Sequence, residues 1–117
     1  MIDLKEKFGI VFDKLDTSYC ESIFEGEFIE KCSVLFDESS KQFVTESGER
    51  LCVHDITMSK KKNYLYIVLR SAEFDYQCWA DFGNYMTHSI APFLEQQGIR
   101  VRDLDLKKRR SRKGAAS

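Results

Sequence analysis

The sequence predicts an α+β fold: an N-terminal helix, a four-stranded antiparallel meander, a C-terminal helix kinked near Pro92, and a candidate fifth edge strand. Three observations predict it. Apolar residues recur at spacings of three and four over residues 2–16 and again after residue 70. Between those stretches the period falls to two. Clusters of turn-forming residues divide the period-two region into short runs, which favours sequential hairpins. Helices on either side of a meander imply two helices on one face of an antiparallel sheet.

The first helix rests on Leu4, Phe8, Val11, Phe12, Leu15 and Tyr19, with Lys5, Lys7, Asp13, Lys14 and Asp16 between them. Asp3 suits its positive end, and Asp16-Thr17-Ser18 suits its stop. From residue 23, Phe24, Phe28, Cys32, Val34 and Phe36 share one parity of a strand, and Glu25, Glu27, Lys31 and Ser33 the other. Gly26 marks a bulge or break in that run. Asp37-Glu38-Ser39-Ser40 and Ser47-Gly48-Glu49 are turns around a short strand at Phe43-Val44-Thr45.

Residues 50–58 alternate again, and Cys52, His54, Ile56 and Met58 are the expected inner set. A loop, Ser59 to Asn63, leads into Tyr64 to Leu69, a run continuous enough to be a central strand covered on both faces. The second helical stripe is Phe74, Cys78, Phe82, Tyr85, Met86 and Ile90, with Trp79 on its shoulder. Pro92 breaks that helix, Gly98 stops it, and Ile99 to Arg102 alternates as the candidate last strand.

The 117 residues suit one domain over 1–106, followed by a basic, disordered tail over 107–117. The net charge of −1 conceals a division of charge. Six of the 18 basic residues lie in Lys107, Lys108, Arg109, Arg110, Arg112 and Lys113. Residues 1–106 thus hold 12 basic against 19 acidic side chains, a net of −7, and the last eleven residues carry +6. No apolar run reaches the ~18–20 residues that cross a bilayer, and the first residues lack the order of a signal peptide. Cys20, Cys32, Cys52 and Cys78 are widely and irregularly spaced and fall mostly at apolar positions. Reduced thiols and an intracellular setting follow, cytoplasmic or, if the tail is an import signal, nuclear.

The catalytic signatures are thin. Cys52 and His54 sit two apart on a strand, which gives a thiol and an imidazole one face, but catalytic pairs are usually distant in sequence. Cys52, His54 and His88 offer no ligand pair with the spacing of a structural zinc site. Glu25, Glu27, Glu30, Asp103 and Asp105 read as solvated acids. Neither phosphate-binding nor hydrolase motifs occur, so no catalytic residue, metal or cofactor is expected.

The expected function is that of a small non-enzymatic interaction or regulatory protein. Its acidic body would bind a protein partner or itself, with Tyr76 and Trp79 as interface anchors. The tail, extended by Lys60, Lys61 and Lys62, would contact nucleic acid or another polyanion. Ser111 offers a site where phosphorylation would cut the tail's charge, and Gly114 to Ser117 reads as a linker. Neither basic run interleaves aromatics with its cations, so any nucleic-acid contact should ignore sequence. Two alternatives stand beside this: a viral or phage-type structural or assembly subunit, and a small enzyme centred on Cys52 and His54.

Overall fold

A computed structural model describes residues 1–16, 26–81, 83 and 88–105. In chain order the described elements are β1 (Ile2–Asp3), α1 (Leu4–Phe8), β2 (Phe12–Asp16), β3 (Glu27–Cys32), β4 (Val34–Asp37), β5 (Gln42–Thr45), β6 (Arg50–Ser59), β7 (Tyr64–Arg70), β8 (Asp75–Asp81), α2 (Ile90–Gln96) and β9 (Arg102–Asp103). The protein is mostly β, and its sheet curls into a half-barrel. The expected α+β arrangement, a meander with long helices before and after it, is overturned.

Both long helices fail for identifiable reasons. Asp3 does cap a helix: its carboxylate accepts the N–H of Lys5 at 3.0 Å and of Glu6 at 3.3 Å. Gly9 then takes a left-handed φ of 70°, and its N–H closes the last turn on the Lys5 carbonyl at 2.8 Å. The helix ends after five residues, and Phe12 to Asp16 continues as a strand. The second stripe runs through β8, where Tyr76, Cys78 and Ala80 are buried while Trp79 and Asp81 are exposed. Phe74 and Cys78 lie four apart, and a spacing of four keeps one face in a helix and in a strand alike. The seven residue pairs between β7 and β8, from Tyr64↔Asp81 to Arg70↔Asp75, decide for the strand. Phe82, Tyr85 and Met86 lie outside the described residues, as do Tyr19, Cys20, Phe24 and Glu25.

Pro92 does not kink a long helix. It is the third residue of α2, in the first turn, where its missing N–H forfeits no bond. Gly98 ends α2 with φ 83°, its N–H on the Glu95 carbonyl at 3.0 Å, and the Ile99 N–H reaches back to Leu94 at 3.0 Å. The candidate fifth strand over Ile99 to Arg102 does not form as expected: the strand there, β9, overlaps it only at Arg102. It pairs with β6 in parallel, the exception among otherwise antiparallel pairings of the described strands.

The strands lie in the order β1-β4-β5-β6-β7-β8-β2-β3. β3 is therefore at one end and β4 next to the other, yet only Ser33 separates them in the chain. One bent segment serves both ends and forces the curl. The hollow is filled from within by Leu4, Phe8, Phe12, Phe36, Ile67, Leu69, Ile90 and Leu94, all at 1% exposure or less. Phe93 of α2 sits 5.2 Å from the Phe8 ring and 5.7 Å from Phe36, which is itself 5.1 Å from Phe43. Among the described residues no helix is long and apolar enough to cross a membrane.

α2 presents Ile90, Ala91 and Leu94 to this core. Leu94→Ala should cost about 2–5 kcal/mol in a urea unfolding curve, because Leu94 is fully buried in the core and its loss leaves a cavity. A cost below about 1 kcal/mol would show that α2 is not the plug of the half-barrel.

Candidate functional site

The convex face of the sheet carries the most unusual surface. In β7 the inward set is Leu65, Ile67 and Leu69, so Tyr64, Tyr66 and Val68 point outward. Pairing with β8 places Trp79 opposite Tyr66 and Gln77 opposite Val68 on the same side. Trp79 stacks on Tyr66 with centroids 4.1 Å apart at 29°, and lies 5.3 Å from Tyr64. Tyr66 donates its hydroxyl proton to Gln77 Oε1 at 2.9 Å, and burial pushes its phenol up to about 12. Trp79 nevertheless remains 56% exposed. Leu15 and Val68 support the ladder from the side.

Carboxylates on this face are matched locally. Arg102 grips Asp55 with Nε at 3.0 Å and Nη2 at 2.8 Å, which raises its own pKa further. Arg70 Nε donates to Asp75 at 2.7 Å, and Lys31 Nζ to Asp13 at 2.9 Å. Asp81 accepts from the Asn63 amide at 2.7 Å and from the Gly83 N–H at 2.7 Å.

The β6–β7 hairpin, at the Tyr64 end of the ladder, carries Lys60, Lys61 and Lys62, all exposed. Asn63 turns that hairpin with φ 61°, a left-handed conformation that Asn tolerates. Asp105 is tied to the same loop. Asp105 accepts from the Ser59 hydroxyl at 2.9 Å and from the Lys61 N–H at 3.1 Å, while the Lys62 N–H donates to Ser59 Oγ at 3.1 Å. Partial desolvation pushes the Asp105 carboxyl up, but those hydrogen bonds and the nearby Lys61 charge outweigh it and hold the group low. Lys107, Lys108, Arg109, Arg110, Arg112 and Lys113 lie outside the described residues.

The other expected sites fare differently. Tyr76 and Trp79 do not share a surface: they are three apart on a strand and face opposite ways. Tyr76 is 2% exposed, donates to Glu49 Oε1 at 3.0 Å, and is raised well above the usual tyrosine range by burial and that carboxylate. Cys52 and His54 are exposed rather than inward, because the β6–β7 register slips between Val53 and Asp55. Leu51 and Ile56, five apart, thereby share the inner face. Among the described residues no hydrogen bond joins Cys52 to His54, and no three potential metal ligands gather.

A cleft of about 510 Å³ opens where the β3–β4 segment bends, lined by Lys5, Lys14, Lys31, Glu30, Cys32 and Ser33 among others. Its chemistry is largely spent internally. Lys14 Nζ lies 4.2 Å from the Phe74 ring and 3.9 Å from Glu30, and Lys31 holds Asp13. Burial and Glu30 raise the Cys32 thiol, which favours its protonated, unreactive form. Cys78 is buried in the core, where desolvation lifts its thiol to about 12.

Two features escape a reading of the sequence. The outward pairing of Tyr64 and Tyr66 is visible only as two tyrosines at alternate positions of a run that otherwise looks fully covered. The role of Asp105 has no sequence signal, because its partners lie 44 and 46 residues away.

Because the Asp105 carboxyl is held low in the folded chain, the tie contributes fully above the ordinary carboxylate pKa of about 4. It is lost as pH falls through the lowered folded value. Asp105→Ala should therefore lower the protection factor of the Lys61 amide at neutral pH and remove the loss of that protection on acidification. Exchange that matches the wild type would rule the tie out. Comparison with protein-family models, with curated proteins and with solved structures finds no match to this chain.

Proposed function

We propose that this chain is a small non-enzymatic binding protein. Its basic corner, formed by Lys60, Lys61, Lys62 and the run Lys107 to Lys113, holds a polyanion, nucleic acid foremost. The observation that carries the reading is the Asp105 tie. Asp105 is tied to the hairpin that carries Lys60 to Lys62, and in the sequence the run Lys107 to Lys113 begins two residues after it. Three lysines and six further cations would release condensed counterions from phosphates, which makes affinity fall steeply with salt. The non-enzymatic half of the reading is supported by Cys52 and His54, which lie exposed at a bulge with no hydrogen bond between them among the described residues.

A second surface supports contact with another copy of the chain. β3 is the last strand of the order, and Phe28 and Ile29 on it are 54% and 43% exposed. Adjacent exposed apolar residues on an outermost strand favour edge-to-edge pairing.

Both readings are testable. Removing residues 107–117 should lower the salt needed to elute the protein from heparin and flatten the salt dependence. Replacing Lys60, Lys61 and Lys62 by Ala should lower it further, and every phosphate left without its cation should reduce the log–log salt slope by roughly 0.7–0.9. Unchanged elution in both variants would end the polyanion reading. For self-association, Phe28→Glu should shift a concentration-dependent size-exclusion peak to the monomer position. A wild-type peak that does not move with concentration would exclude pairing through β3.

A further inference from the structure

We propose that the Tyr64, Trp79 and Tyr66 ladder is a stacking platform for the unpaired bases of a single-stranded nucleic acid, whose phosphates lie along the Lys60–Lys62 loop. The inference rests on the polyanion reading and adds the ligand's class and the surface that distinguishes it from other polyanions. Four observations carry it.

Trp79 is the chain's sole tryptophan and leaves 56% of its surface in water on a strand whose neighbours Cys78 and Ala80 are buried. An exposed indole held against Tyr66 at 4.1 Å and Tyr64 at 5.3 Å is preorganised, so a base stacking on it forfeits little side-chain freedom. The basic loop is continuous with the ladder: Lys62 is separated from Tyr64 only by Asn63, whose amide also holds Asp81 beside Trp79's strand end. Phosphate and base contacts are thus within one hairpin of each other, an adjacency the linear order of cations and aromatics does not disclose.

Charge is compatible as well. Among the described residues, Asp13, Asp55 and Asp75 on this face are each paired with a cation, Asp81 is held by amide N–H groups, and Asp105 is held at the hairpin by a backbone N–H and a hydroxyl. A phosphate chain crossing the face therefore meets three acids paired with cations, the Asp81 carboxylate held by neutral N–H groups, and then three exposed lysines. The polar side chain nearest the aromatics, Gln77, already accepts the Tyr66 hydroxyl. The platform offers π-faces rather than a donor and acceptor pattern, so it should accept any base and require that the base be unpaired.

Trp79 fluorescence reads the event directly. The full-length chain is titrated with a short oligothymidylate and with an abasic deoxyribose phosphate oligomer of equal length. The thymidylate should quench Trp79 and bind about 5- to 150-fold more tightly than the abasic chain, the range that base–aromatic stacking supplies. In Trp79→Ala, followed by anisotropy of a labelled oligomer, that ratio should fall to near one while abasic affinity stays at the wild-type value. Trp79→Phe should recover part of the ratio. Equal wild-type affinities for the two oligomers, without quenching by the thymidylate, would overturn the platform and leave the polyanion reading standing. Binding of neither oligomer would overturn both.

Discussion

The structure depends on one covalent constraint. Residues 27–37 pair with β2 before Ser33 and with β1 and β5 after it, so a single bent segment belongs to both ends of the strand order. A flat sheet cannot satisfy both sets of pairings. The curl that results gives the sheet one concave and one convex side, and each side then has its own chemistry. The concave side must be filled, and the short helices α1 and α2 supply Leu4, Phe8, Ile90 and Leu94 for that purpose. On the convex side Trp79 is 56% exposed and Tyr64 half-buried, while Tyr66 beneath the indole is 6% exposed.

The same curvature explains which polar groups had to be satisfied internally. Asp75 is 3% exposed on the convex face, and Arg70 joins it there. Removing one partner from such a pair would leave the other charge poorly solvated, which is more costly than the pair itself is favourable. The exposed pairs, Lys31 with Asp13 and Arg50 with Asp37, contribute far less to stability. Their effect is to remove isolated negative charge from the surface.

Much of the middle of the chain was legible in the sequence. The turn at Asp37 is there because its carboxylate accepts from Ser39 and Ser40, as turn-forming side chains do. Tyr64 to Leu69 is a central strand, as its β-branched and aromatic content required. The two ends misled for a common reason. Leu4, Phe8 and Phe12, and likewise Phe74 and Cys78, repeat every four residues, a spacing shared by helices and strands. Gly9 was the local signal that separated them, since it stops α1 after one turn. In β8 no local signal did so, and pairing with β7 overrode helical periodicity. At His54 a bulge inverted the alternation, so residues read as inward became exposed. Register slips of this kind arise from partners across the sheet and leave no mark in a single strand's pattern. For the candidate site, the lysines and Trp79 were visible, but the stacking of Trp79 on Tyr66 and the Asp105 tie were not.

Net charge is a poor guide to what a polyanion meets on this protein. Exposed charges interact over about 8–10 Å at moderate ionic strength, so a phosphate samples a neighbourhood and not the whole surface. Residues 1–106 carry −7, yet the convex face pairs Asp13, Asp55 and Asp75 each with a cation, and the hairpin at its edge presents three cations in sequence. Placing Asp105 at that hairpin introduces one negative charge into the basic corner. It is bound to a backbone N–H and a hydroxyl rather than to a lysine ammonium, so it leaves the lysine ammonium groups available to a phosphate. The excess of acid elsewhere then has a separate consequence: it discourages phosphate chains from settling away from the corner. On the proposed reading, a polyanion would settle at that corner, where stacking on Trp79 is also within reach.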